Sequence, residues 1–159
     1  MKRRELRESI YKIIFQVPFY SEDEMGSQID IGIDEIRLEA DIAYGQVSEL
    51  ARQYAVEEGT TFTDADAEYI RKKVDDIIIK LPNIDEAISL AAKGWQVSRI
   101  GKAELGILRL GVYELLYDND IPDSVAVNEA VELSKIYCDE KAHKFINGVL
   151  SGVIKNTGK

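Results

Sequence analysis

The chain has 159 residues, 45% of them apolar, and a net charge of −9, which is enough for one folded domain or two small halves sharing a core. Its longest apolar runs are a few residues, which excludes a membrane-spanning helix, and Glu5, Arg7 and Glu8 interrupt any apolar signal core behind the basic N-terminus. A single cysteine, Cys138, excludes an internal disulfide and fits a reducing cytoplasm, and with a single histidine, His143, it makes no metal-binding pattern.

The charge is spread unevenly along the chain. Residues 1–12 hold Lys2, Arg3, Arg4, Arg7 and Lys12 against Glu5 and Glu8, whereas residues 22–42 hold eight acids against Arg37 alone. From residue 93 onward nine acids face nine bases. A nucleic-acid backbone needs a local cationic surface rather than a cationic protein, and the N-terminal tip offers one.

The periodicity is helical throughout, so the expected class is all-α. Helix 1 spans about Arg3 to Val17, with Leu6, Ile10, Ile13, Ile14 and Val17 on one face. Pro18 stops it. The acidic, glycine-punctuated stretch from Ser21 to about Asp34 reads as a mobile loop. Helix 2 follows from about Asp34 to Glu58, with Ile36, Ala40, Ala43, Val47, Leu50 and Tyr54 inward and Gly59 as its end. Thr63 caps helix 3, whose first turn carries Asp64 and Asp66 and which reaches about Lys80. Pro82 breaks the chain, and Asn83 caps helix 4, which ends near Gly94. Helix 5 covers about Lys102 to Tyr117 and is apolar on most sides, so it is expected at the centre of the fold. Pro122 sets the start of helix 6, about Ser124 to Tyr137. Asp139 caps helix 7, which runs to about Asn156. The seven helices fall into two small packed bundles, an N-terminal subdomain over 1–81 and a C-terminal one over 82–159. The link between them is too short for independent domains, so one compact unit is expected.

No catalytic constellation emerges. His143 has no nucleophile in a recognisable local setting, and Glu114, Glu129 and Glu132 sit among core helices, where structural roles are commoner than acid–base work. No glycine-rich phosphate loop is present. Arg109 and Glu114 lie on the otherwise apolar helix 5, and a buried charge needs a partner. Asn147 and Gly148 sit in the middle of helix 7, where both are poor helix formers. Either Asn147 bonds across to a neighbouring helix and Gly148 permits close packing, or the two shape a polar surface.

The C-terminal third carries the most specific signal. Ile107-Leu108-Arg109 and Tyr113-Glu114-Leu115 are followed by Ile121-Pro122, by Val127-Asn128-Glu129-Ala130-Val131-Glu132-Leu133-Ser134-Lys135, and by Lys144-Phe145-Ile146-Asn147-Gly148-Val149-Leu150. These linked motifs, over about residues 95–154, resemble the NusB family of transcription antitermination factors. Lys2-Arg3-Arg4-Glu5-Leu6-Arg7-Glu8, with Phe15-Gln16 behind it, is similar to that family's arginine-rich first helix.

The resemblance implies two helical bundles and no enzymatic activity or cofactor. It implies binding to boxA RNA of ribosomal RNA leader transcripts, pairing with ribosomal protein NusE, and suppression of premature termination with other Nus factors and RNA polymerase in the cytoplasm. A homodimer is a further implied state. Residue by residue, it implies RNA contacts for Lys2, Arg3, Arg4, Arg7, Phe15, Gln16, Lys141, Lys144 and Phe145, and a partner contact for Glu104. Two alternatives stay open. A NusB-like domain also precedes the catalytic domain of certain ribosomal RNA cytosine methyltransferases, so an accessory role in RNA modification is one. A helical interaction module with an incidental basic tip is the other. Phe145 is open between core and RNA face, because Val149 lies one turn away on the same side.

Overall fold

A computed structural model describes residues 1–17, 22–45 and 62–158. Among the described residues there are seven α-helices, a short 3-10 turn at Val97–Arg99 and no strand. The helices are α1 (Arg3–Phe15), α2 (Glu22–Gly45), α3 (Asp64–Ile79), α4 (Leu81–Ala91), α5 (Lys102–Tyr117), α6 (Asp123–Tyr137) and α7 (Ala142–Asn156). The chain forms two compact units, Met1–Asp75 and Asp76–Lys159.

In the first unit, α1 buries Leu6, Ile10, Ile13 and Ile14 on the face expected from their spacing. α2 supplies Ile29, Ile33 and Ile36. Gly32 sits where a Cβ would stand 3.1 Å from Ile13, so this glycine lets α2 come close to α1. Ion pairs join α2 to α3: Arg71 with Asp30, and Arg37 with Asp64 at 3.0 Å. Thr63 and Asp66 cap α3 reciprocally. The Asp66 N–H donates to Thr63 Oγ1 (3.2 Å) and the Thr63 N–H donates to Asp66 Oδ2 (2.9 Å).

In the second unit, α5 packs against α4, α6 and α7. Every residue from Leu105 to Leu115 on this helix is buried, with Ile107, Leu108 and Val112 fully so. Burying each such side chain contributes about 1.5–3 kcal/mol. Gly111 makes the close approach possible, since a Cβ there would lie 3.1 Å from Leu150 of α7 and 3.6 Å from Ala130 of α6. Arg109 meets the expectation of a partner. Its Nε and NH2 donate to the two oxygens of Asp85 on α4, both at 2.9 Å, a bidentate geometry that fixes direction as well as charge. Tyr113 donates its hydroxyl to Asp76 (2.6 Å), which also accepts from Lys80 Nζ on both oxygens (2.8 Å).

Three helix starts differ from the sequence reading. α2 begins at Glu22, not near Asp34. Its acids suit the positive end of a helix, and Ile29, Ile33 and Ile36 continue one apolar stripe through the glycines that suggested a loop. Pro82 does not break the chain but sits in the first turn of α4, which starts at Leu81 with Lys80 rather than Asn83 at the cap position. A first-turn proline loses no hydrogen bond there. α7 starts at Ala142 with Lys141 at the cap position, and Asp139 contributes its backbone carbonyl to the preceding turn rather than a side-chain cap. The expected run of helix 2 to Glu58, with Val47, Leu50, Tyr54 and the Gly59 cap, lies outside the described residues.

Candidate nucleic-acid interface

The candidate residues in the first unit lie along α1. Lys2, Arg3 and Arg4 are exposed at its start and Arg7 is half-buried one turn on. Their helix is held at its first turn in two ways. The Lys2 N–H donates to Glu5 Oε2 (2.9 Å), so one of the two acids among these bases serves as a cap. The N-terminal ammonium of Met1 pairs with Asp66 Oδ2 at 3.0 Å, both groups only 14% exposed. Burial alone would raise the Asp66 carboxyl, but hydrogen bonds from Thr63 and the attraction of that ammonium outweigh it and hold the group below its ordinary value of 3.8. Phe15 and Gln16 are half-buried at the far end of α1, about 18 Å from Arg3 by the rise of a helix. Phe15 leans on Tyr11, ring centroids 6.2 Å apart.

The remaining candidates lie in the second unit, where the fold gathers them. Glu104 in the first turn of α5, Lys141 before α7 and Phe145 on α7 line one groove with Trp95, Arg99 and Asp139. Lys141 and Lys144 are exposed, and Glu104 is half-buried. Phe145 is neither core nor fully open. It is half-buried, and its ring meets Trp95 edge to face at 6.1 Å, while its neighbour Ile146 takes the core position. His143 donates from Nδ1 to the Glu140 carbonyl, tightening the turn that presents Lys144. Cys138 is half-buried near the same groove. Burial first, and then the charges of Glu104 and Asp139, push its thiol up to about 11, so it is a poor nucleophile there.

Trp95 is the residue that sequence reasoning passed over. It follows Gly94, whose φ of 85° turns the chain after α4, and it is 55% exposed. A large aromatic directly behind a helix-ending glycine was the available signal. Gly148 and Asn147 favour the second of the two readings left open for them, an exposed polar surface. Gly148 is exposed, and beyond its own stretch of helix no atom of a described residue lies within 4 Å of where a Cβ would be, so it does not serve close packing. Asn147 beside it is also exposed rather than turned into the bundle. The close-packed glycine on α7 is Gly152, whose Cβ would stand 3.2 Å from that of Ala91. Among the described residues no cluster of His, Cys, Asp and Glu could hold a metal ion, and no helix is long and apolar enough to cross a membrane.

Comparison with known proteins gives a consistent result. The model of the NusB family matches residues 4–155. A transcription antitermination protein NusB from Agathobacter rectalis is 33% identical over 151 residues, covering 95% of this chain and 98% of the relative. The solved structure of T. maritima NusB superposes with a TM-score of 0.74 at 26% identity, covering 98% of this chain and 92% of that one. A structure of antitermination factors NusB and NusE in complex with dsRNA superposes at 0.62 with 27% identity, covering 97% and 96%.

Proposed function

The chain belongs to the NusB family, and from that premise we propose that it is a transcription antitermination factor that binds boxA RNA of ribosomal RNA leader transcripts with ribosomal protein NusE. Together with other Nus factors it suppresses premature termination by RNA polymerase. The observation that carries the reading is the exposed cluster of Lys2, Arg3 and Arg4, with Arg7 behind it, at the tip of a helix in a protein of net charge −9. Guanidinium forks grip phosphates bidentately, and the capped first turn presents them on a fixed helix rather than a loose tail. The second surface is Lys141, Lys144 and Phe145, cations beside an aromatic on which an unpaired base can stack. Glu104 lines the groove that Lys141 and Phe145 share, and in this reading it meets the protein partner. Phe15 and Gln16 extend the RNA face along α1. The protein acts by binding and not by catalysis, and it works in the cytoplasm where transcripts are made.

So few cations give modest affinity at physiological salt, which explains the need for a second protein. The test is a mobility shift with boxA RNA and a scrambled RNA, each with and without saturating NusE. Preference for boxA and a gain with NusE of about 5–150-fold, the usual range of coupling between two sites, are expected. Equal affinity for both RNAs, unchanged by NusE, would contradict the proposal.

A further inference from the structure

A second groove lies on the surface between α4 and α7, about 440 Å³ in volume, and it shares Trp95, Lys144 and Phe145 with the RNA surface proposed above. Among the described residues its charged lining is Lys93, Lys144 and Lys155, with no carboxylate. All three lysines are exposed. In a protein with nine more acids than bases, a groove charged only by ammonium groups selects an anion. The neighbouring groove, by contrast, balances Arg99 and Lys141 against Glu104 and Asp139.

Two features favour a nucleic-acid strand over an acidic peptide. The first is Trp95. Its contact with Phe145 is edge to face, more than half of it is exposed, and no described residue stacks on it. Exposed indole beside lysines is the combination that holds unpaired bases by stacking and their backbone by charge. The second is Gly148. A glycine inside a helix costs stability relative to alanine. Gly152 on the same wall has a reason in the chain itself, the approach of Ala91. Gly148 has none among the described residues, yet it lines the groove. Its bare backbone leaves room for something outside the chain to lie against the helix.

We infer that single-stranded RNA continues from Lys144 and Phe145 along this groove, with a base stacked on Trp95 and phosphates held by Lys93 and Lys155. The strand passes over Gly148. The inference rests on the RNA-binding reading above and lengthens its footprint on the second unit.

Trp95 is the single tryptophan and lines both grooves, so its emission reports their shared end, and the Lys93, Lys155 and Gly148 variants report this groove. The full chain is titrated with single-stranded boxA RNA extended at either end, followed by both emission and mobility shift. Emission should fall in step with complex formation. Trp95→Ala should weaken binding about 5–150-fold, the effect of one stacked base, and Trp95→Phe should restore most of it. Lys93→Ala with Lys155→Ala should flatten the salt dependence by about 1.4, two single-strand phosphate contacts. Gly148→Leu should weaken binding, and a melt on the same sample shows whether it is folded. Gly148→Ala, which cannot harm the helix, gives a second reading of the same wall. If RNA shifts the protein normally while emission, salt slope and the Gly148 variants stay as in wild type, the groove is off the RNA path and the antitermination reading stands. If no RNA binds at all, that reading falls and the inference with it. If emission responds to NusE and not to RNA, the groove belongs to a protein and the inference is overturned.

Discussion

Arg109 and the arginines at the tip of α1 carry the same guanidinium and meet opposite fates. Arg109 lies on α5 with its side chain 10% exposed, both of its bonds spent on Asp85. Arg3 and Arg4 are exposed on α1. Arg109 and Tyr113, buried on α5, belong to the fold, although their ILR and YEL motifs are among those that suggest a family. The cations proposed to meet RNA, Lys2, Arg3, Arg4, Lys141 and Lys144, are exposed at the starts of α1 and α7. A motif can therefore identify a protein through residues that only hold it together, and the functional surface must be sought where burial ends.

The largest effects should come from breaking the buried side of that contrast. Leu108→Ala empties a fully buried position on α5 and should cost about 2–5 kcal/mol in a denaturant titration. An unchanged midpoint would show that α5 is not central. Asp85→Ala strands the Arg109 charge and should cost about 1.5–3 kcal/mol, with RNA binding per folded molecule unchanged. A loss of RNA affinity without a loss of stability would move Arg109 to the functional side.

The glycines of α7 sharpen the comparison at smaller scale. Gly148→Ala should raise stability by about 0.5–1 kcal/mol, the ordinary gain in a helix interior. Gly152→Ala should forfeit that gain, because Ala91 must give way at 3.2 Å. Equal gains at both positions would mean that α4 is free to move. The smallest effect concerns pH. Because the Cys138 thiol is raised to about 11 from 9.0 in the fold, the unfolded chain releases that proton first as pH climbs. The contribution is fully present below pH 9.0 and is lost between there and about 11. Cys138→Ala should remove this part of the alkaline slope, measured by denaturant midpoints across that range.

Where one physical rule governed, the sequence could be read. The inward face of α1 and the whole of α5 follow from apolar spacing, and that Arg109 is paired follows from the cost of an unpaired buried charge, though not that its partner is Asp85. The start of α2 was misread because acids and glycines look like a loop, although both suit a helix when the acids lie at its positive end and Gly32 meets Ile13. The candidate cations of α1 were visible as a charge cluster within twelve residues. The groove was not, because Lys93 and Trp95 come from the end of α4 while Lys144, Gly148 and Lys155 come from α7 some fifty residues on. Only the packing of those two helices brings them together, and no local pattern records it.

The contrast between buried and exposed arginines stands or falls on the tip of α1. The direct test replaces Arg3, Arg4 and Arg7 with alanine together and measures boxA affinity across a salt series, with helicity followed on the same samples. The account predicts unchanged helicity, a strong loss of affinity and a salt slope flatter by about 2, three phosphate contacts at roughly 0.7 each. Affinity and slope equal to wild type in a fully helical triple variant would contradict it.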